Sequence, residues 1–158
     1  MKTIHIICLG KLKEQYWQEA EAEYVKRLQP FAKIVVHELK EESFTEKDPV
    51  EVVRLKEAVK ISAELEKIKD CYIVALEEKG KQYGSIDFAN RLAHWNEIAN
   101  SIVFIIGGPL GLDRSLVMKA QTTLSLSPLT FTHQMTRVIF LEQVYRAYMI
   151  NQGRKYHY

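Results

Sequence analysis

Ile102-Val103-Phe104-Ile105-Ile106-Gly107-Gly108-Pro109-Leu110-Gly111-Leu112-Asp113 is an apolar run that ends in a small-residue loop. Thr122-Thr123-Leu124-Ser125-Leu126-Ser127-Pro128-Leu129-Thr130-Phe131 repeats the design, and Thr132 to Arg146 follows with helical spacing. Strand, tight loop, strand, tight loop, helix is how an α/β protein builds a ligand crevice at the carboxyl ends of its strands. The last helix carries polar and cationic residues near its start, His133, Gln134 and Arg137. Beyond it lies a short basic and aromatic tail, Arg154-Lys155-Tyr156-His157-Tyr158.

Working outward, the same alternation runs through the chain. Thr3 to Leu9 is a continuous apolar run closed by Gly10, as expected of a strand buried on both faces. Residues 12–29 place Leu12, Tyr16, Trp17, Ala20, Tyr24 and Leu28 on one helical face, with Pro30 just past the end. Lys33 to Leu39 reads as a second strand. Pro49 suits the first turn of a helix over 50–69, whose apolar stripe is Val52, Leu55, Ala58, Val59, Ile61, Leu65 and Ile68. The Glu and Lys of that helix read as solvated surface.

Cys71 to Leu76 is a third buried strand, and residues 77–84 read as a turn-rich loop suited to a lid. Ser85 suits the N-cap of a helix that buries Phe88, Leu92 and Trp95. A short helix is expected over 112–120, with Asp113 favourable at its start. A fifth strand over Thr122 to Leu126 precedes the final helix over 132–150. Strands alternating with helices predict a parallel sheet with helices on both faces, in one domain over residues 1–158.

Bulk properties narrow the class. Apolar residues make up 47% and charged residues 27%, an ordinary globular balance. No apolar run is long enough to span a bilayer, and the opening residues read as a strand with no signal-peptide cleavage site. Cys8 and Cys71 sit inside apolar runs and are expected as buried thiols in a reducing cytoplasm. No Cys or His spacing suggests a metal. A net charge of +2 does not by itself argue for nucleic acid. Arg146, Arg154, Lys155 and His157, with no acid among them, leave room for a local basic surface.

Taken singly, the motifs stay ambiguous. Gly107-Gly108-Pro109-Leu110-Gly111 fits a cofactor loop or a plain turn; it is neither G-x-G-x-x-G nor a P-loop. Ser127 to Phe131 could present backbone groups to a ligand or be an ordinary connection. Arg137, Glu142 and Arg146 could meet phosphate, or Glu142 and Arg146 could pair along the helix, with His133 and Gln134 serving as caps. His5 and His37 lie in strands and read as structural. No nucleophile elbow is present, so hydrolase readings are poor.

Together, I-G-G-P-L-G-L, L-S-L-S-P-L-T-F-T-H-Q-M-T-R, L-E-Q-V-Y-R-A and the terminal Y-H-Y resemble one family. So do the opening I-I-C-L-G-K-L-K-E-x-Y-W and the E-Y-x-K-R-L helix. It is the bacterial 23S ribosomal RNA pseudouridine N3-methyltransferase family (RlmH), in the SPOUT superfamily. The resemblance covers essentially the whole chain.

The resemblance implies what spacing does not: a trefoil knot in the C-terminal part and a homodimer in which the partner chain completes each active site. It implies S-adenosyl-L-methionine held by Leu76, Gly107, Gly108, Leu126, Ser127, Pro128, Leu129, Thr130 and Phe131. It implies transfer of a methyl group to N3 of a pseudouridine in 23S ribosomal RNA of the assembled ribosome. His133, Arg137, Arg154, Tyr156 and His157 then lie towards the RNA. His157 or His133 are candidate bases, and Arg154 with Arg137 could instead favour the ionised base electrostatically. The rival reading is a knotted domain that binds RNA or ribosomes without chemistry. A second rival, a nucleotide-binding enzyme using the glycine loop for phosphate, lacks the expected G-K-[ST] and acidic ribose partner.

Overall fold

A computed structural model describes residues 1–156. Five strands, β1 (Lys2–Leu9), β2 (Ala32–Leu39), β3 (Cys71–Lys81), β4 (Ser101–Ile106) and β5 (Thr122–Leu124), form one parallel sheet in the order β2-β1-β4-β3-β5. The helices are α1 (Gln15–Leu28), α2 (Val50–Leu65), α3 (Ser85–Ile98), α4 (Arg114–Lys119) and α5 (His133–Asn151). The expected alternation is what forms.

Two apolar clusters show how the layers divide. Ile4, Ile6 and Cys8 of β1 point to the side covered by α3 and α5, where Phe88, Leu92, Trp95, Phe140, Leu141 and Val144 pack. Ile7 and Leu9 point to the other side, against Ala58, Ile61 and Leu65 of α2 and Leu116 of α4. That alternation along one strand is the two-residue period of a pleated sheet, and it places helices on both faces. All six residues of the central β4 are buried.

Three expectations need correction. β3 continues to Lys81, so residues 77–81 are strand and not a free loop. The strand buckles between Leu76 and Lys81, since both pair with Leu124. The N-cap of α3 is Gly84, with no side-chain cap bond; Ser85 is already the first helical residue. On α2 the stripe is rotated. Val53, Glu57, Ala58, Ile61 and Leu65 face inward, while Val52, Leu55 and Val59 are exposed. An i, i+3, i+4 pattern fits two neighbouring faces when apolar residues are this dense. Packing against the glycine loop selects the face that carries Glu57.

The strand histidines are structural, as expected. His5 Nδ1 lies 2.9 Å from His37 Nε2, and His37 Nδ1 lies 2.9 Å from Glu64 Oε1. Cys8 is buried, Cys71 is half-buried, and burial pushes the Cys8 thiol up to about 12.

Candidate functional site

The carboxyl ends of β3, β4 and β5 open into a cleft of about 1040 Å³. Its walls combine Leu76, Ile106 and Leu124 from the strand ends with Gly107 to Leu112, Ser125 to Ser127 and Leu129 to Gln134. Apolar strand ends and backbone-rich loops converge as they should in an open α/β sheet.

The glycine loop is tightly folded. The N–H of Gly111 donates to the carbonyl of Gly108 at 3.0 Å, and Gly111 sits at φ +81°. A side chain on Gly107 would meet the carbonyl carbon of Gly111 at 3.0 Å and Leu112 at 3.1 Å. The turn therefore closes this tightly only with glycine at 107, and its main chain lines the cleft. Arg54 holds the loop from α2, its Nε donating to the carbonyl of Leu110 at 2.6 Å.

The opposite wall is pinned to β3. The N–H of Ser125 donates to the carbonyl of Lys81 at 3.0 Å, and the hydroxyl of Thr130 donates to Glu78 at 2.5 Å. The Ser127 hydroxyl accepts from the N–H of Leu129 at 2.9 Å, which rounds the loop before α5. Thr132 caps that helix by accepting from the N–H of Met135, so capping falls to Thr132 and not to His133 or Gln134. Gln134 instead accepts from the N–H of Lys13 at 3.0 Å, which fastens α5 to the β1–α1 connection.

Of the residues singled out in the sequence, Leu76, Gly107, Gly108, Leu126, Ser127, Leu129, Thr130, Phe131 and His133 line one cleft. Pro128 belongs to the same loop without contributing to the lining. The Nε2 of His133 is buried with no hydrogen-bond partner among the described residues.

Arg137 requires correction. It was expected to face RNA, yet it is only 2% exposed. Its guanidinium donates to Glu21 at 2.8 and 2.9 Å and to Glu38 at 2.7 Å. Those two carboxylates occupy the fork, so Arg137 ties α5 to α1 and β2 beneath the cleft. Arg146 is likewise paired along the helix with Glu142 at 2.5 Å, and its Nη1 donates to the carbonyl of Tyr156 at 2.7 Å.

Arg154 and Tyr156 follow the end of α5 that is remote from the cleft. Arg154 is exposed, and the Tyr156 ring meets Tyr145 edge-on at 5.2 Å and lies 5.0 Å from the guanidinium of Arg146. The helix has 19 residues, so roughly 27 Å separates its ends at 1.5 Å per residue. His157 lies outside the described residues.

Sequence reasoning missed Arg54, Glu57 and Glu78. Spacing gives Glu57 as solvated helix surface and Glu78 as part of a loop, and says nothing of Arg54. An inward Arg–Glu pair, three residues apart on a charged face, gives no periodic signal. Among the described residues no three His, Cys, Asp or Glu are grouped to hold a metal, and no helix is long and apolar enough to cross a membrane.

Residues 1–157 match the family described as "Predicted SPOUT methyltransferase". The chain is 41% identical over 160 residues to the ribosomal RNA large subunit methyltransferase H of Lactobacillus gasseri, covering 98% of this chain and 99% of that one. It is 42% identical over 162 residues to the protein of that name from Bacillus cereus, covering 98% and 99%. Among solved structures it resembles a protein of Legionella pneumophila described as a methyltransferase, in complex with the bound cofactor SAM. The TM-score there is 0.54 at 14% identity, over 93% of this chain and 66% of that one. A methylase-family protein from Haemophilus influenzae gives a TM-score of 0.53 at 11% identity, over 98% and 68%. These two likenesses bear on the fold alone.

Proposed function

The chain belongs to the SPOUT methyltransferase family, and from that premise we propose that it methylates N3 of a pseudouridine in 23S ribosomal RNA of the assembled ribosome. The observation that carries the reading is the cleft in which the glycine loop, the end of β3 and the loop before α5 meet. The relatives' names supply the RNA class.

The donor in this reading is S-adenosyl-L-methionine, and the residues present fit it. Leu76, Ile106, Leu124 and Leu126 offer apolar walls for a purine, while the main chain of Gly107 to Gly111 and of 125–131 offers polar edges. A cleft of about 1040 Å³ lies at the upper end of the roughly 300–1,000 Å³ that holds one drug-sized ligand, enough for the cofactor. When bound, the cofactor supplies an electrophilic methyl group.

This chain's own residues do the rest. The walls exclude water and orient the two reactants, which accounts for much of the acceleration in a direct displacement. The N3–H of the base is an imide proton that must leave. His133 borders the cleft and is one candidate acceptor for it, through Nδ1, because Nε2 is buried beside Gly10. His157 is the other.

A second copy of the chain belongs to the proposal. Arg154 lies beyond the far end of α5 and Tyr156 folds back onto Tyr145 and Arg146, still about 18 Å along the helix from His133, so in this reading the tail serves a partner's cleft. The homodimer and the trefoil knot are both part of this reading.

Titration calorimetry with S-adenosylmethionine, together with the mass in solution, tests it. Binding by a dimer of the 18.4 kDa chain supports the reading. A folded protein that binds neither this donor nor its demethylated product withdraws the roles assigned to Gly107, Gly108 and residues 126–131. Displacement of the donor by ATP would favour a phosphate-binding loop.

A further inference from the structure

Glu57 stands directly behind the glycine loop. It is 3% exposed, and its Oε1 accepts from the N–H of Glu42 at 3.2 Å. Its Oε2 is buried without a partner among the described residues. Both carboxyl oxygens lie 3.6 Å from the point a side chain on Gly108 would occupy. At that distance a methyl group would fit in ordinary contact, and Gly108 has no positive φ, so neither crowding nor backbone conformation dictates glycine there. The missing side chain leaves only main chain between the carboxyl group and the cleft.

A buried carboxylate with a free oxygen is costly unless a cation or donor completes it. The charged groups around Glu57 are few. Glu41 and Glu42 face it from the β2–α2 connection and disfavour its ionisation, and Lys60 on α2 favours it. Lys60, however, is held by Glu42 at 2.5 Å. Arg54, also on α2, is turned to the carbonyl of Leu110. Neither cation bonds Glu57; Lys40 and Lys56 act on the neighbouring Glu42.

We propose that Glu57 is the buried counter-charge of the cofactor cleft, acting through the glycine loop to favour a cationic ligand over a neutral one of the same shape. This rests on the cofactor assigned above. S-adenosylmethionine carries a methyl group and a sulfonium charge that S-adenosylhomocysteine lacks, while the rest of the two molecules is alike. Preference for donor over product would let the enzyme shed its product. The same arrangement links binding to protons. Desolvation by burial holds the Glu57 carboxyl above its ordinary range, so a cation in the cleft favours ionisation, and preference for the donor rises with pH.

The test is calorimetric affinity for both ligands from pH 5.5 to pH 8, on wild type, Glu57→Gln and Glu57→Asp, with thermal unfolding as a control. In wild type the donor-to-product preference should rise with pH. Glu57→Gln keeps the shape and removes the charge; it should lower the preference about three- to tenfold, the effect of one charge acting across the loop at an intermediate dielectric. It should also flatten the pH profile. Glu57→Asp should hold the preference above that of Glu57→Gln, and this comparison stands even if the glutamine variant is unstable. A wild type that binds both ligands, with a ratio the same in all three proteins, would overturn the role of Glu57 alone. A wild type that binds neither would remove the cofactor reading, and this role with it.

Discussion

Arg137 is the one buried cation among the described residues. Its fork is occupied by Glu21 and Glu38, which come from α1 and β2. Removing one partner of such an arrangement strands the others in a poorly solvated place. Arg137→Ala should therefore lose about 3–5 kcal/mol of stability in urea unfolding at neutral pH. Arg137→Lys should not restore it, because an ammonium cannot serve both carboxylates in the same plane. Unchanged stability with weakened, less salt-dependent RNA binding would instead return Arg137 to the RNA surface. The pair His5–His37 makes a second residue-scale prediction. Burial, then the charges of His37 and Lys33, holds His5 below its ordinary value of 6.5. The folded protein thus binds fewer protons there than the unfolded chain, and stability is lost as pH falls below 6.5 towards the folded value. Glu21 and Glu57, held above their ordinary range by burial, act in the opposite sense. Only the difference between wild type and His5→Gln isolates the histidine. Chemical unfolding at pH 7 and pH 5 should show the shallower loss in the variant; equal losses would contradict the coupling.

At the scale of elements, β3 and α2 show what sequence can and cannot announce. Cys71 to Leu76 reads plainly as a strand because it is apolar throughout. Residues 77–81 are Glu, Glu, Lys, Gly and Lys, a composition of turns, yet they stay in the sheet because β5 returns beside them. Gly80 is the mark of that return: a side chain there would stand 2.6 Å from the main chain of Leu124 and 2.9 Å from that of Ser125. Gly80→Ala should cost roughly 1–3 kcal/mol, and an unchanged melting temperature would contradict the strand pairing. On α2 the existence of the helix was legible and its orientation was not. Val59→Ala should change stability by no more than about 0.5 kcal/mol, and Ile61→Ala should cost about 2–5 kcal/mol. The reverse order would restore the stripe read from spacing. The charge on the inner face, Arg54 and Glu57, exists for the loop it supports, and a contact forty or more residues away in sequence leaves no local trace.

For the whole molecule, the alternation of elements was enough for a parallel sheet with helices on both faces. The order β2-β1-β4-β3-β5 was not, since it depends on which strand ends the loops bring together. The cleft was legible because its residues come from two continuous motifs. The position of the tail was not, because it turns on the length and direction of α5. That separation makes a prediction about assembly. A chain ending at residue 153 and a full-length Gly107→Val chain should each be inactive. Mixed and refolded together, they should regain part of the activity, because an intact cleft then meets an intact tail. No recovery, from chains shown to form mixed dimers, would count against a site shared between two copies. The most direct measurement is nucleoside mass spectrometry of 23S RNA after ribosomes lacking the modification are incubated with the protein and S-adenosylmethionine. The account predicts one methyl group on N3 of a single pseudouridine, with little transfer to protein-free RNA. Ribosomes left unmodified by a folded protein that binds the donor, or a methyl group on another base, would contradict it.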